Sequence, residues 1–405
     1  MTNSEPPSPR RSSMRRPFLH ATAIFLIALG TLAAASPAGR QSPAEPGLTA
    51  HEWGTFTTIA GADGLPVEWL PVDLSGPSDL PHFVEHYRNA GFKAGLRGTV
   101  RMETPVIYFY SPHETRVSVR VSFTKGLITE WYPHPDGVAP NTSLALDTLY
   151  GPHDDGSITW NSVTVSPAVP ANFPRESAAS HYYSARDTSA TPLSVKGPWG
   201  DQREKFLFYR GVSTTSLPLT AKVLPSGAIR LTNRIGRPIP ALVLFERRDD
   251  KLGYRIVTSP RDHLILETPS VTGTFDSLRG DLEDLLVNQG LFRDEARAMI
   301  ETWRDTWFEE GSRLFYIVPS SHVDSILPLS ITPAPAQVVR AFVGRIELVT
   351  PATERSIEAA LAAHDGAALR KYGRFLYPIF NIMLAKLPVP ARITRMLEQL
   401  GAAYE

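Results

Sequence analysis

The sequence predicts an α+β protein. An antiparallel, β-rich, sandwich-like N-terminal two thirds precedes a helix-rich C-terminal third. Two observations predict it. Arg116 to Phe123 (RVSVRVSF) alternates polar and apolar residues, the pattern of a half-buried strand, and several more short β-branched or aromatic runs are separated by Pro/Gly turns. After Pro269 the apolar period lengthens to three and four residues, the mark of helices.

Taken in order, residues 1–38 read as a secretory signal. Arg10, Arg11, Arg15 and Arg16 form a positive start, Ala21 to Ala35 is apolar or small, and small residues follow with cleavage expected near Ala35 or Ala38. The apolar run is short for a membrane span, so no stable anchor is expected after cleavage. Arg15-Arg16-Pro17-Phe18-Leu19 is similar to a twin-arginine export signal. Equally, Met14 is a start that makes the same residues an ordinary Sec-type leader. Both routes imply a periplasmic or extracellular protein.

Residues 39–48 read as a polar linker and 49–268 as a β-rich domain. Thr104 to Tyr110 and Glu204 to Tyr209 are strand-like runs. Leu219 to Leu224 and Ala228 to Thr232 flank Pro225-Ser226-Gly227, and Ala241 to Glu246 and Tyr254 to Thr258 flank Arg247 to Gly253, giving two hairpins. Residues 134–202, with PHPDG, GPHDDG, SPAVPANFP and KGPWG, read as long loops.

Residues 269–405 read as an α+β segment packed on or beside the sheet. Asp276 to Asn288 predicts one helix, closing near Gly290. Ala296, Met299, Ile300, Trp303 and Trp307 make the apolar stripe of the next, a core face rather than a ligand groove. Strands are expected at Arg313 to Val318 and Val339 to Val349. Thr350-Pro351 caps and opens a helix, and further helices are expected at about 366–386 and 390–400.

Composition removes several chemistries. The chain has no cysteine, which excludes disulfides, iron–sulfur clusters, thiolate zinc sites and a cysteine nucleophile. Basic and acidic residues balance at 41 each, and losing residues 1–38 removes four arginines and one glutamate, leaving a net charge of −3. That balance gives no pull toward nucleic acid. Arg88, Lys93, Arg97 and Arg101 form a modest basic cluster that reads as a solvated face. No G-x-G-x-x-G, P-loop or G-x-S-x-G occurs. Ser122-Phe123-Thr124-Lys125 matches S-x-x-K, but inside a strand pattern and without partner motifs.

His82-Phe83-Val84-Glu85-His86 matches H-x-x-E-H, the inverted zincin spacing. On a helix, positions i and i+4 share a face, so His82 and His86 would bind one Zn²⁺ or another divalent metal while Glu85 activates its water. Asp79, Pro81 and Gly91 supply helix start and stop signals. A third ligand is needed: His51 or Glu52 first, His153 or Asp154 second. Against this, the histidines point away from the apolar stripe of Leu80, Phe83, Val84 and Tyr87.

Seven histidines, at 51, 82, 86, 113, 134, 153 and 181, fall in the first half of the mature chain, as metal or proton-transfer sites do and as exposed loops also do. Glu52-Trp53, Glu68-Trp69 and Glu130-Trp131 pair a carboxylate with an indole, which suits sugar binding by Trp53 or Trp131, or a core tryptophan with an exposed glutamate.

The opening His51-Glu52-Trp53-Gly54-Thr55-Phe56-Thr57, with Gly61-Ala62-Asp63-Gly64, Arg101 to Pro105, Ser111-Pro112 and Trp307 through Pro319, resembles a group of exported bacterial proteins of unknown activity. The resemblance implies export and a shared fold. Two functions are therefore expected: a metal-dependent hydrolase-like enzyme with His82, Glu85 and His86 at its centre, or a non-catalytic β-sandwich protein of the envelope. The second would bind glycan, peptide or protein through loops 134–202.

Overall fold

The computed structural model describes residues 44–69, 80–86, 98–140, 155–260 and 263–388. The expected signal, Asp79, Tyr87 and Gly91, the basic residues 88, 93 and 97, His153 with Asp154, and the helix expected at 390–400 lie outside them.

The first strands are β1 (Glu45–Ile59), β2 (Glu85–His86), β3 (Val100–Tyr110), β4 (Thr115–Phe123), β5 (Gly126–Tyr132), β6 (Gly137–Ala139) and β7 (Gly156–Val165). A 3₁₀ turn at His181–Arg186 leads to β8 (Leu193–Gly197), β9 (Gly200–Glu204), β10 (Phe206–Ser213), β11 (Leu219–Val223) and β12 (Ile229–Asn233). Next come β13 (Ala241–Arg248), β14 (Lys251–Thr258), β15 (Leu264–Leu266), α1 (Phe275–Val287) and α2 (Arg293–Trp307). The chain continues with β16 (Gly311–Val318), α3 (Ser320–Ile326), β17 (Leu329–Thr332), β18 (Pro335–Leu348), α4 (Pro351–Ala362), α5 (Gly366–Arg370) and α6 (Leu376–Ala385).

Nine strands make the main sheet in the order β14-β13-β16-β18-β1-β3-β10-β5-β2. A second sheet runs β17-β4-β7-β8-β9 with β6 added beside β7, and a third runs β11-β12-β15. Pairing is antiparallel throughout these sheets except for β1 beside β18, which run parallel from Thr49 opposite Gln337 to Ile59 opposite Glu347. The chain is thus strand-rich, with antiparallel sheets, and all six of its described α-helices follow residue 274.

Two sequence boundaries move. The strand β1 begins at Glu45, inside the stretch 39–48 read as linker. The division at 268/269 runs through one sheet, because β16 and β18 lie between β13 and β1. The long loops expected over 134–202 contain strands. Ile158, Trp160, Val163 and Val165 are buried along β7, and the polar Asn161-Ser162 between them coincides with a register shift against β4. That interruption hides the period of two.

The central strand β1 is buried on both faces. Ala50 and Phe56 join a core with Ile107, Phe109, Leu207, Leu314 and Phe342, to which Val117, Val119 and Trp160 of the second sheet also belong. Trp53 faces the opposite way, into a core with Tyr108, Phe206, Phe245, Phe315 and the stripe Ala296, Met299, Ile300, Trp303 and Trp307. The stripe is therefore core, as its spacing predicts.

Local signals also act as read. Thr274 caps α1 by accepting from Ser277 N–H, and Thr350 caps α4 by accepting from Thr353 N–H, with Pro351 in the first turn. The expected helix at 366–386 is broken into α5, a 3₁₀ turn and α6, where Gly373 takes a φ of 50°. No helix among the described residues is long and apolar enough to cross a membrane.

Candidate functional site

The His82–His86 segment is not a helix, which corrects the zincin spacing argument. Val84 N–H bonds to Pro81 C=O at 3.0 Å in a turn, and Glu85–His86 then pairs as β2 with β5, Glu85 opposite Trp131 and His86 opposite Glu130. The cause is tertiary. Val84 is buried, and Phe83 packs edge-on against Tyr132 at 4.9 Å and Tyr182 at 5.5 Å. A helix this short is marginal in water and cannot compete with that docking. Without the helix, His82 and His86 lose their common face.

The proposed metal ligands are accordingly dispersed. The His82 side chain is 93% exposed, and Glu176 takes both its N–H (2.7 Å) and its Nδ1 (3.0 Å). His86 is exposed on the sheet edge. His51 lies on β1, four strands from β2, or about 19 Å at the usual strand spacing. It cannot share an ion that must sit about 2 Å from each nitrogen. Among the described residues no three His, Asp or Glu side chains gather as a metal site would require.

His51 is instead a core residue. It is 1% exposed, its Nδ1 is 2.8 Å from Glu295 Oε2, and the Phe292 ring packs against its ring at a tilt, with centroids 4.6 Å apart. Glu295 also accepts from Tyr110 O–H (2.8 Å) and Phe292 N–H (2.7 Å). Burial, then the charge of Glu295, pushes the Tyr110 hydroxyl far up, so it stays a neutral donor. Glu52, on the other face of β1, is buried and accepts from Arg340 Nε (2.6 Å) and Tyr209 O–H. Trp53 is fully buried, so its ring is packing and not a ligand platform.

A third buried group ties the C-terminal helices to the sheet. Arg313 and Arg345 both meet Glu347, at 3.0 and 3.1 Å, and Arg374 and Arg101 meet Glu103. Burial first, then the charge of Arg313, lowers Arg345 to about 10. Arg313, Arg345, Glu347 and Glu103 are all buried.

One cluster is different, and it includes two residues singled out from the sequence. Glu85 Oε2 accepts from Trp131 Nε1 at 3.2 Å and from His134 Nδ1 at 2.7 Å. A carboxylate only accepts, so Nδ1 carries the proton and Nε2 of a neutral ring is left as an acceptor. The His134 side chain is 38% exposed, and its Nε2 carries no hydrogen bond among the described residues. The other oxygen, Glu85 Oε1, is buried without a partner among the described residues. Trp131 is 8% exposed, so it contributes an N–H and not an open face.

The corner is held from both sides. His134 N–H donates to Gln202 Oε1 of β9 at 2.6 Å, and Trp160 Nε1 donates to Pro133 C=O at 2.9 Å. Behind it Glu204 is buried and accepts from Tyr182 O–H at 3.0 Å and from Arg186 through two nitrogens. Burial pushes Glu204 up, against the pull of Arg186. Burial and then the charge of Glu204 push the Tyr132 hydroxyl up as well.

His134 was visible in the sequence only as one of seven histidines, because its partner Glu85 is 49 residues away. Trp199 was hidden in KGPWG. An indole set between Pro198 and Gly200 in a tight turn is the signal for an exposed ring, and it is 79% exposed.

No family model and no curated protein matches the chain. Among solved structures it is similar to a yeast delta-COP-I mu-homology domain complexed with a Dsl1 WxWxV peptide, at 10% identity and a TM-score of 0.25. That match spans 76% of this chain and 97% of the other.

Proposed function

We propose that the mature chain is an exported, non-catalytic binding protein of the cell envelope. In this reading the main and second sheets lie face to face as a sandwich, and the ligand sits at the corner of β2, β5 and β9. One observation carries the reading. His51, His82 and His134 are each held by a different carboxylate, Glu295, Glu176 and Glu85, and do not converge on one pocket. A metal-dependent hydrolase needs the opposite arrangement.

Elemental analysis of the purified mature protein tests this, alongside hydrolysis assays on ester, peptide and glycoside substrates. The expected result is metal well below one equivalent and no turnover. One equivalent of a divalent metal that is lost in His86→Ala would restore the metal-dependent hydrolase.

A second reading rests on the half-exposed imidazole of His134. A ring whose Nδ1–H is fixed by a carboxylate is arranged as a general base. Turnover that disappears in His134→Gln would favour it over the binding protein.

A further inference from the structure

We infer that Trp199, Gln202, His134 and Glu85 form a subsite for a neutral oligosaccharide, with the Trp199 indole stacking on a pyranose face and His134 Nε2 accepting from a sugar hydroxyl. The inference rests on the binding-protein reading above and names the ligand class of that corner.

Four observations lead there. Trp199 is more exposed than any other large apolar side chain among the described residues, at 79% against 65% for Tyr377. It sits in the two-residue turn of the β8–β9 hairpin, between the paired Gly197 and Gly200. That pairing, and the positive φ of 118° at Gly200, hold the turn tight. Gln202 follows three residues later, so its Cα lies within about 10 Å of the Trp199 Cα at strand rise. Gln202 in turn holds His134 through the 2.6 Å bond to its backbone N–H.

The polar groups select the ligand. His134 offers an acceptor at Nε2, and the Gln202 amide, whose oxygen is engaged, offers donors. A hydroxyl both donates and accepts, so a sugar edge satisfies both at once. Its ring also presents a flat C–H face of the kind that lies on an indole. A cationic ligand suits the corner less well. Glu85 Oε2 already accepts from both the Trp131 and His134 donors, and its Oε1 is buried.

The test uses the mature protein with maltohexaose, cellohexaose and chitohexaose, followed by calorimetry and tryptophan fluorescence. At least one should bind with a Kd of about 1 mM or tighter. Trp199→Ala, at an exposed turn, should fold normally and weaken binding by about tenfold or more. Trp199→Phe should keep part of the affinity, and His134→Ala and Glu85→Gln should each weaken it several-fold. Binding that is unchanged in Trp199→Ala would overturn the subsite and leave the binding-protein reading standing. No binding of any of the three at about 10 mM would overturn the oligosaccharide assignment. A heptalysine peptide binding in its place would keep the wider reading and change the ligand class. Turnover of an oligosaccharide, with bond cleavage, would overturn both.

Discussion

Glu295 of α2 and His51 of β1, 244 residues apart, meet at 2.8 Å with neither side chain reaching solvent. The carboxylate collects three donors, His51 Nδ1–H, Tyr110 O–H and Phe292 N–H, and so joins the start of α2 to two central strands. Glu295→Ala leaves all three without a partner. A buried unpaired donor costs about 1–3 kcal/mol, so the expected loss is about 3 kcal/mol or more. Glu295→Gln keeps the volume but turns an NH₂ toward donors, and should cost about 1–3 kcal/mol. Urea unfolding followed by circular dichroism measures both. A loss below about 1 kcal/mol for the alanine variant would mean that this contact does not hold helix to sheet.

Much of the fold was legible because it rests on local rules. Val117, Val119, Val121 and Phe123 all point into the core from β4, as their alternation requires. Thr274 and Thr350 cap their helices within four residues of sequence, and Val223 pairs with Ile229 across the hairpin turn. The site was less legible because its contacts are not local. Whether His82 to His86 forms a helix is decided by Tyr132 and Tyr182, which no window around His82 contains. Glu85 and Trp131 were both singled out, but for separate roles; the sheet makes them neighbours. His51 carried metal-ligand chemistry in the sequence and proves to be a core histidine paired through Nδ1 with Glu295, a partner that could be matched to it only in three dimensions.

The tryptophan stripe of α2 gives a second prediction. Trp303 is 4% exposed and Trp307 fully buried, and both pack under the main sheet. Trp303→Ala should cost about 3–5 kcal/mol, the range for deleting a buried aromatic. Trp303 Nε1 is buried and has no hydrogen-bond partner among the described residues. Trp303→Phe removes that unpaired donor along with part of the ring, so it should cost less than half as much. Equal losses for the two variants, read from denaturant melts, would show that the retained phenyl ring recovers none of the packing and that the unpaired donor is not costly there.

Export makes a covalent prediction. The arginine-rich start, apolar run and small residues of 1–38 lead us to expect cleavage after Ala35 or Ala38. Intact-mass spectrometry of the exported protein should therefore find an N-terminus beginning at Ser36 or Gly39. A mature species that retains Met1 or Met14 would remove the signal reading, and with it the envelope setting of the proposed function.

The last prediction concerns acid. Glu103 is fully buried, and burial alone would raise its pKa; the guanidinium groups of Arg374 and Arg101 outweigh it and hold the carboxyl at about 2. Arg374 bonds both carboxylate oxygens, Thr57 O–H adds a bond at 2.7 Å, and Arg101 Nε lies at 3.3 Å. A depressed carboxylate stabilises the fold fully above its unfolded value near 4.5, and that contribution fades as pH falls toward 2. At about 1.4 kcal/mol per unit, the contribution is on the order of 3 kcal/mol. Glu103→Gln should be less stable than the parent chain at pH 6, and the gap should narrow steadily between pH about 4.5 and 2. Glu204, Glu246 and Glu309, which burial pushes the other way, are common to both chains and cancel in the difference. Urea melts of the two proteins at a series of pH values read the gap directly. A gap that stays constant as pH falls would show that Glu103 acts through its shape and hydrogen bonds. A narrowing gap would show that its charge, paired with Arg374, fastens the segment after α5 to β3.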